Sequence, residues 1–157
     1  MIDSDTFRSV LGRFATGVTI VTARDAAGED HGMTVSAFSS VSLEPPLVLV
    51  CVDHAASMHD LLLEHTSIGI SILSSNQEAY SRRFANDDGE RFDGIAFTRG
   101  DCGVVLLDDA LAHLECRIVA HHEAGDHTVF LAGVERAEPR DGRPLLYYRG
   151  GYAQLER

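Results

Sequence analysis

The sequence is short of positive charge, with 13 Lys+Arg against 24 Asp+Glu and a net charge of -11 over 157 residues. Such a surface repels phosphate backbones and anionic lipid, which excludes nucleic acid and the membrane surface as expected partners. No apolar run approaches the roughly 18 residues that a membrane helix needs. The N-terminal MIDSDTFRSV lacks the basic and apolar regions of a signal peptide, so a soluble, cytoplasmic protein is expected. Gly-x-Gly-x-x-Gly is missing, which argues against a Rossmann dinucleotide site. Three cysteines (Cys51, Cys102, Cys116) have no CxxC spacing and are expected as buried thiols in a reducing compartment.

The signatures of metal and nucleophilic chemistry are absent too. Eight histidines include the pairs His54/His59 and His121/His122, but neither HExxH nor a Cys/His ligand spacing occurs. His121 and His122 are neighbours on a strand candidate and so point to opposite faces. The histidines read as surface or half-buried groups, and no metal site is expected. There is no Gly-x-Ser-x-Gly elbow. Ser57 near Asp53, His54 and His59 is too local a cluster to argue for a catalytic triad.

What is present is a patterned chain of one domain, residues 1–157, with 45% apolar residues and neither repeat nor low-complexity segment. Residues 4–14 read as a helix capped by Ser4 or Asp5, with Phe7, Val10, Leu11 and Phe14 in one stripe. The β-branched run 17–23 reads as a strand, and after a polar turn His31 to Ser36 returns as its hairpin partner. Pro45-Pro46 cannot sit inside a paired central strand. LVLVCV after it reads as a buried strand. Helices are expected over 56–65 and from a Ser75 or Asn76 cap to about Ala85. Strands are expected over 67–73, 111–123, 127–138 and 145–148, whereas 86–94 is turn-rich and 99–109 poorly patterned. With no repeating βαβ unit, the pattern predicts a mainly β fold with peripheral helices, built as a closed antiparallel barrel.

The most unusual stretch is Gly32 to Asp53, GMTVSAFSSVSLEPPLVLVCVD. Thr34, Ser36, Ser39, Ser40 and Ser42 alternate with Val35, Ala37, Phe38, Val41 and Leu43, which suggests small polar groups held on a framed surface. A phosphate can be held by hydroxyls, backbone N–H groups at a helix start and an arginine. Ser57 at the expected start of one helix and Arg82-Arg83 at the end of another supply these parts. The competing reading of the arginines is a solvated helix end that complements the dipole. His127 opens a strand and reads on its own as a hydrogen-bonded strand-end histidine.

Taken together, FATGVTIVTA (14–23), the 32–53 run, Ser57, RRFAND with Arg91-Phe92, LECRI (114–118), GDHTVFLAGV (125–134) and PLLYYRGGY (144–152) resemble the short-chain flavin reductases. These are FMN-binding split-barrel proteins that serve two-component flavin monooxygenases. The segments come in family order and cover most of the chain, and TVSAFSSVSLEPPL is specific. The common Asp-Arg-Phe of the family stands here as Glu90-Arg91-Phe92. The resemblance implies a six-stranded antiparallel Greek-key split β-barrel that forms a homodimer. It implies reduction of FMN or FAD by NADH or NADPH, with reduced flavin passing to a separate monooxygenase. A flavin- or haem-binding carrier or sensor on the same barrel is the alternative. By position, Thr34, Val35, Ser36 and Ala37 would lie along the isoalloxazine and ribityl chain, followed by Ser39 and Ser40. Cys51, Val52 and Asp53 would line the same edge, and Ser57, Arg83 and Phe84 would hold the phosphate side. His127 would face the nicotinamide, and Tyr152 would help close the site. Hydride transfer between two bound rings needs no nucleophile and no metal set, which agrees with the missing signatures.

Overall fold

The computed structural model describes residues 1–86 and 91–156. Strand β1 (Thr16–Gly17) precedes β2 (Thr19–Arg24), which pairs antiparallel with β3 (Asp30–Val35). The turn between them closes on Asp25, whose Oδ1 accepts from the backbone N of Ala27 and of Glu29, both at 2.9 Å. β4 (Phe38–Ser42) and β5 (Leu47–Asp53) form the next hairpin. After α2 (His59–Leu63) come β6 (Ser67–Ile72), α3 (Glu78–Phe84) and the short pair β7 (Phe97–Arg99) and β8 (Val105–Leu107). The long hairpin β9 (Ala112–Ala124) and β10 (His127–Pro139) follows, and β11 (Leu145–Tyr148) and β12 (Gly151–Gln154) end the chain.

Seven strands form the main sheet in the order β3-β2-β6-β9-β10-β5-β4. All its pairings are antiparallel, and β3 packs beside β5 as the sheet curls. Six of these strands make the barrel wall, and β4 extends it as the hairpin arm of β5. β1, β11 and β12 form a separate small sheet.

Two apolar cores lie on either side of the wall. Val21, Val35, Val48, Val50, Val52, Ile70 and Phe130 fill the barrel. Val18, Ile20, Leu73, Phe84, Val105 and Leu107 form a second core outside it. β2 is therefore buried on both faces. The β7–β8 pair lies against the wall at Gly69, where an added Cβ would sit 2.6 Å from Thr22 Oγ1 and 2.8 Å from the Val105 carbonyl oxygen. Thr22 Oγ1 donates to that carbonyl at 2.6 Å, and Ser71 Oγ accepts from Leu107 N at 3.0 Å.

Several expectations are corrected by this geometry. The first helix, α1, spans Ser4–Leu11, and its cap is Asp3, whose Oδ1 accepts from Thr6 N at 2.8 Å. Its stripe of Phe7, Val10, Leu11 and Phe14 is largely exposed and belongs to neither apolar core. α2 is shorter than 56–65 because Asp53 Oδ1 holds Ala55 N at 2.9 Å, keeping the chain in a turn until Met58. α3 is preceded by Gln77, and neither Ser75 nor Asn76 caps it. β5 buries only Val48, Val50 and Val52, while Leu47, Leu49 and Cys51 are half-buried on the opposite face. β4, β7, β8 and β12 lay outside the expected strands. Cys116 is buried, which pushes its thiol up to about 12, whereas Cys51 and Cys102 are half-buried.

Phe130 is fully buried at the centre of the barrel core. Phe130→Ala should lower stability by about 3–5 kcal/mol, read as a shift of the urea midpoint at unchanged slope.

Candidate functional site

The site is framed by the contact of α3 with β3. Gly32 is buried, and a Cβ built there would fall 2.7 Å from Phe84 Cε1 and 3.1 Å from Phe92 Cζ. The bare glycine thus lets the ring of Phe84 lie directly on the strand. Three further links hold the same surfaces. Thr34 Oγ1 donates to the Ser81 carbonyl at 2.7 Å, and the Ser81 hydroxyl bonds Tyr152 Oη at 2.7 Å. Arg82 lies over the Tyr152 ring at 4.8 Å while its Nε donates to Glu78 at 2.9 Å. Arg83 Nη1 donates to the Asp93 carbonyl at 2.6 Å, and Arg91 Nη1 donates to the Gly32 carbonyl. Neither Arg82 nor Arg83 is merely a solvated helix end. Glu90 lies outside the described residues.

On the other side of β3 the chain leaves the sheet at Ser36 and Ala37. Phe38 N donates to the Ser36 carbonyl at 2.9 Å and Cys51 N to the Ala37 carbonyl at 3.0 Å, so β4 starts at a fixed place on β5. Ser39 and Ser40 follow on the exposed strand opposite Leu49 and Val48. Ser36 lines two adjoining grooves together with Phe14 and Thr16. Phe38 and Ile72 continue one, and Tyr147 and Arg149 the other. Thr16 Oγ1 is buried there without a hydrogen-bond partner among the described residues. A buried hydroxyl left unpaired costs about 1–3 kcal/mol, so this atom marks a place where a ligand's polar group fits.

Ser57 stands in the turn before Met58, not on a helix. It lines a cavity with Gly32, His31, Met58, Arg91, Phe92 and Asp30, whose carboxylate is paired with Arg99. The arginine that shares this cavity with Ser57 is thus Arg91, while Arg83 braces the neighbouring loop from outside. A third group lies where β5 meets β10. Asp53 and His127 are register partners, and His127 Nδ1 lies 2.8 Å from Asp126 Oδ1. That contact holds the Asp126 carboxyl below its usual range. It also fixes His127 with its proton on Nδ1, and Nε2 has no partner among the described residues.

Of the residues singled out in the sequence, Thr34, Arg83, Phe84 and Tyr152 meet around α3. Ser36 reaches the grooves, and Ala37 is tied to Cys51. Val35, Val52 and Phe84 are buried core side chains, so at a ligand only the backbone of these positions is available. Phe14, Thr16 and Arg91 are additions. Phe14 and Thr16 belong to the FATG segment; Phe14 is marked only as the last member of a helical stripe, and no spacing marks Thr16. Arg91 was visible only as part of a motif. The arrangement offers hydroxyls, backbone amides and Arg149 around apolar grooves, with Arg91 in the cavity beside Ser57, and is suited to holding flat rings and a phosphate rather than to acid–base cleavage.

Comparison with known proteins agrees with this geometry. Residues 11–156 match the family described as Flavin reductase like domain. The chain is 48% identical over 151 residues to an NADH-dependent flavin reductase of a Rhodococcus species, covering 95% of this chain and 85% of that protein. It is 43% identical over 155 residues to the FMN reductase (NADH) SmoA of Agrobacterium fabrum, covering 99% and 88%. Identity is 38% over 156 residues to HsaB of Rhodococcus jostii, the reductase subunit of a flavin-dependent monooxygenase, covering 99% and 80%. Among solved structures, the NADH:FAD oxidoreductase SgcE6 of Streptomyces globisporus, in complex with NAD and FAD fragments, superposes with a TM-score of 0.92 at 38% identity, covering 99% of this chain and 96% of that one.

Tyr152→Phe leaves the buried Ser81 hydroxyl without its partner. It should cost about 1 kcal/mol by chemical denaturation, and Ser81→Ala in the same background should cost nothing further.

Proposed function

The chain belongs to the flavin reductase like domain family, and from that premise we propose that it reduces FMN or FAD with NADH and hands the reduced flavin to a separate monooxygenase. Among this chain's own features, the observation that carries the reading is the unpaired, buried Thr16 hydroxyl in a groove shared with Ser36 and the exposed ring of Phe14. A flat heteroaromatic ring with polar edges satisfies both the hydroxyl and the apolar walls.

When bound, the nicotinamide supplies a hydride and the flavin accepts it. The protein's part is to place the two rings and to donate hydrogen bonds where negative charge develops. Ser36, Ala37, Ser39 and Ser40 offer hydroxyls and amides along the rim of the grooves, and Thr16 offers its hydroxyl from within. Ser57 and Arg91 offer a hydroxyl and a cation in one cavity, suited to phosphate. In a chain of net charge -11, that local cation matters for an anionic ligand. His127, its Nδ1 bonded to Asp126, offers Nε2 beside Asp53, fitting the amide end of the nicotinamide. Contacts built from short hydroxyls suit a flavin that must leave again.

The active form we propose is a homodimer. Phe7, Val10, Leu11 and Phe14 of the first helix region are exposed, as are Val41 and Leu43 of the β4–β5 arm. A second copy is the partner that would cover them next to the grooves. Light scattering that finds only monomer at micromolar protein would remove this part of the reading.

The purified protein should oxidise NADH rapidly when FMN or FAD is added; no turnover with any flavin would overturn the assignment. Thr16→Val and Ser36→Ala should each weaken flavin binding by roughly three- to tenfold, about 1 kcal/mol, while the melting temperature of the flavin-free protein rises for Thr16→Val and is unchanged for Ser36→Ala. His127→Ala should raise KM for NADH while flavin affinity, read by fluorescence quenching, stays at the wild-type value.

A further inference from the structure

The end of the barrel beside α2 carries a side-chain cluster for which hydride transfer has no use. His54 follows directly on β5, His59 opens α2, and Glu123 lies near the end of β9, in register with Thr128 of β10. His54 Nε2 is 2.7 Å from Glu123 Oε2, and the rings of His54 and His59 meet edge-on with centroids 5.0 Å apart. One possible ligand atom from each of His54, His59 and Glu123 lies within 4.8 Å of the others. His59 is buried, and the other two are exposed, so the cluster has a protein floor and an open side. Thr128 and His127 are adjacent on β10 and point to opposite faces, which separates this cluster from the proposed nicotinamide edge.

We propose that His54, His59 and Glu123 bind a divalent transition metal, with zinc as the ion best matched to the donors. Two imidazoles and one carboxylate, with solvent completing the shell, form an open zinc coordination set. The proton shared between His54 and Glu123 stands where the metal takes its place, and the ion binds as that proton leaves. Thr128 is the orienting partner: its hydroxyl donates to Glu123 Oε1 at 3.1 Å, which leaves Oε2 turned toward His54. The same hydroxyl lies 2.7 Å from His59 Nε2, and His59 Nδ1 lies 3.1 Å from Asp60 Oδ1, so the ion takes the place of one of these two contacts when His59 joins the set. His65 and His121, paired at 2.8 Å, lie across the ring of Phe130 from this set and bring no carboxylate. A bound ion would join the turn that carries Ser57 to the β9–β10 hairpin.

The test uses untagged full-length protein stripped with a chelator and holding no added flavin or NADH, so its outcome is independent of the reductase reading. One equivalent of Co2+ should produce visible d–d absorption that Zn2+ abolishes. His54→Ala and Glu123→Gln, both at exposed positions, should each weaken Zn2+ binding at least about tenfold, the loss seen even for outer-shell partners. Thermal unfolding of the metal-free variants should match that of the wild type, and His121→Ala should bind as the wild type does. Absence of the Co2+ spectrum, equal Zn2+ affinity in wild type and both ligand variants, or loss on His121→Ala with His54→Ala unaffected would overturn the site.

Discussion

The contact of the Phe84 ring with the bare Cα of Gly32 is the constraint on which the rest of the site depends. A strand residue with any side chain would push α3 off β3 by the width of a methyl group. With α3 flush on the strand, Ser81 comes within reach of both Thr34 and Tyr152, and Arg83 reaches the 91–93 loop. Arg91 can then close on the Gly32 carbonyl. Each of these bonds is ordinary in strength, near 1 kcal/mol net. Their joint effect is geometric: one helix, one loop and two sheets are held in a single arrangement around the end of β3, where the chain turns out toward Ser36.

That arrangement suits a reaction in which the protein does no covalent chemistry. A hydrolase must tune a nucleophile through an adjacent base. Here the groups that line the grooves are hydroxyls, apolar side chains and the arginines Arg8 and Arg149. What the chain contributes is placement. Placement in turn is a property of the barrel wall, because β3 and β5 bury Val35, Val48, Val50 and Val52 in the barrel core while β10 buries Phe130 and Ala132 there.

How much of this was legible in the sequence follows from the range of the forces involved. β-branched runs and alternating small residues announced the strands of the barrel, because alternation is a local record of which face is wet. The 4–14 stripe announced a helix but not that its apolar face would remain uncovered, since periodicity does not say what a face meets. β4 went unread because Ser39, Ser40 and Ser42 look like a loop and because the strand shifts register between Ser40 and Ser42. The first cap was misplaced by one or two residues where Asp3 captured Thr6 N–H, and the start of α2 was placed too early where Asp53 captured Ala55 N–H. The family segments drew attention to Ser57 and His127, which the fold sets at a cavity beside Gly32 and as the register partner of Asp53. They did not separate Arg83 from Arg91 in the cavity, which depends on how a loop folds over a helix. His54 and Glu123 are 69 residues apart and converge only through the β-pairing, so no ligand spacing could announce them.

The alternation of β5 also says where this chain can change in length. Because inward and outward residues differ by a single position, removing or adding one residue within 47–53 would turn Val48, Val50 and Val52 out to solvent and bring Leu49, Cys51 and Asp53 into the barrel. The double proline just upstream, with the Pro46 carbonyl accepting from Val134 N at 2.9 Å, fixes where that count begins. The 125–126 turn is tied as well, since the Asp126 carbonyl accepts from His54 N at 2.9 Å and its carboxyl meets His127. Changes of length in descendants of this chain therefore fall outside both places, while the short run between Pro46 and Asp53 stays at constant length, whatever its side chains become.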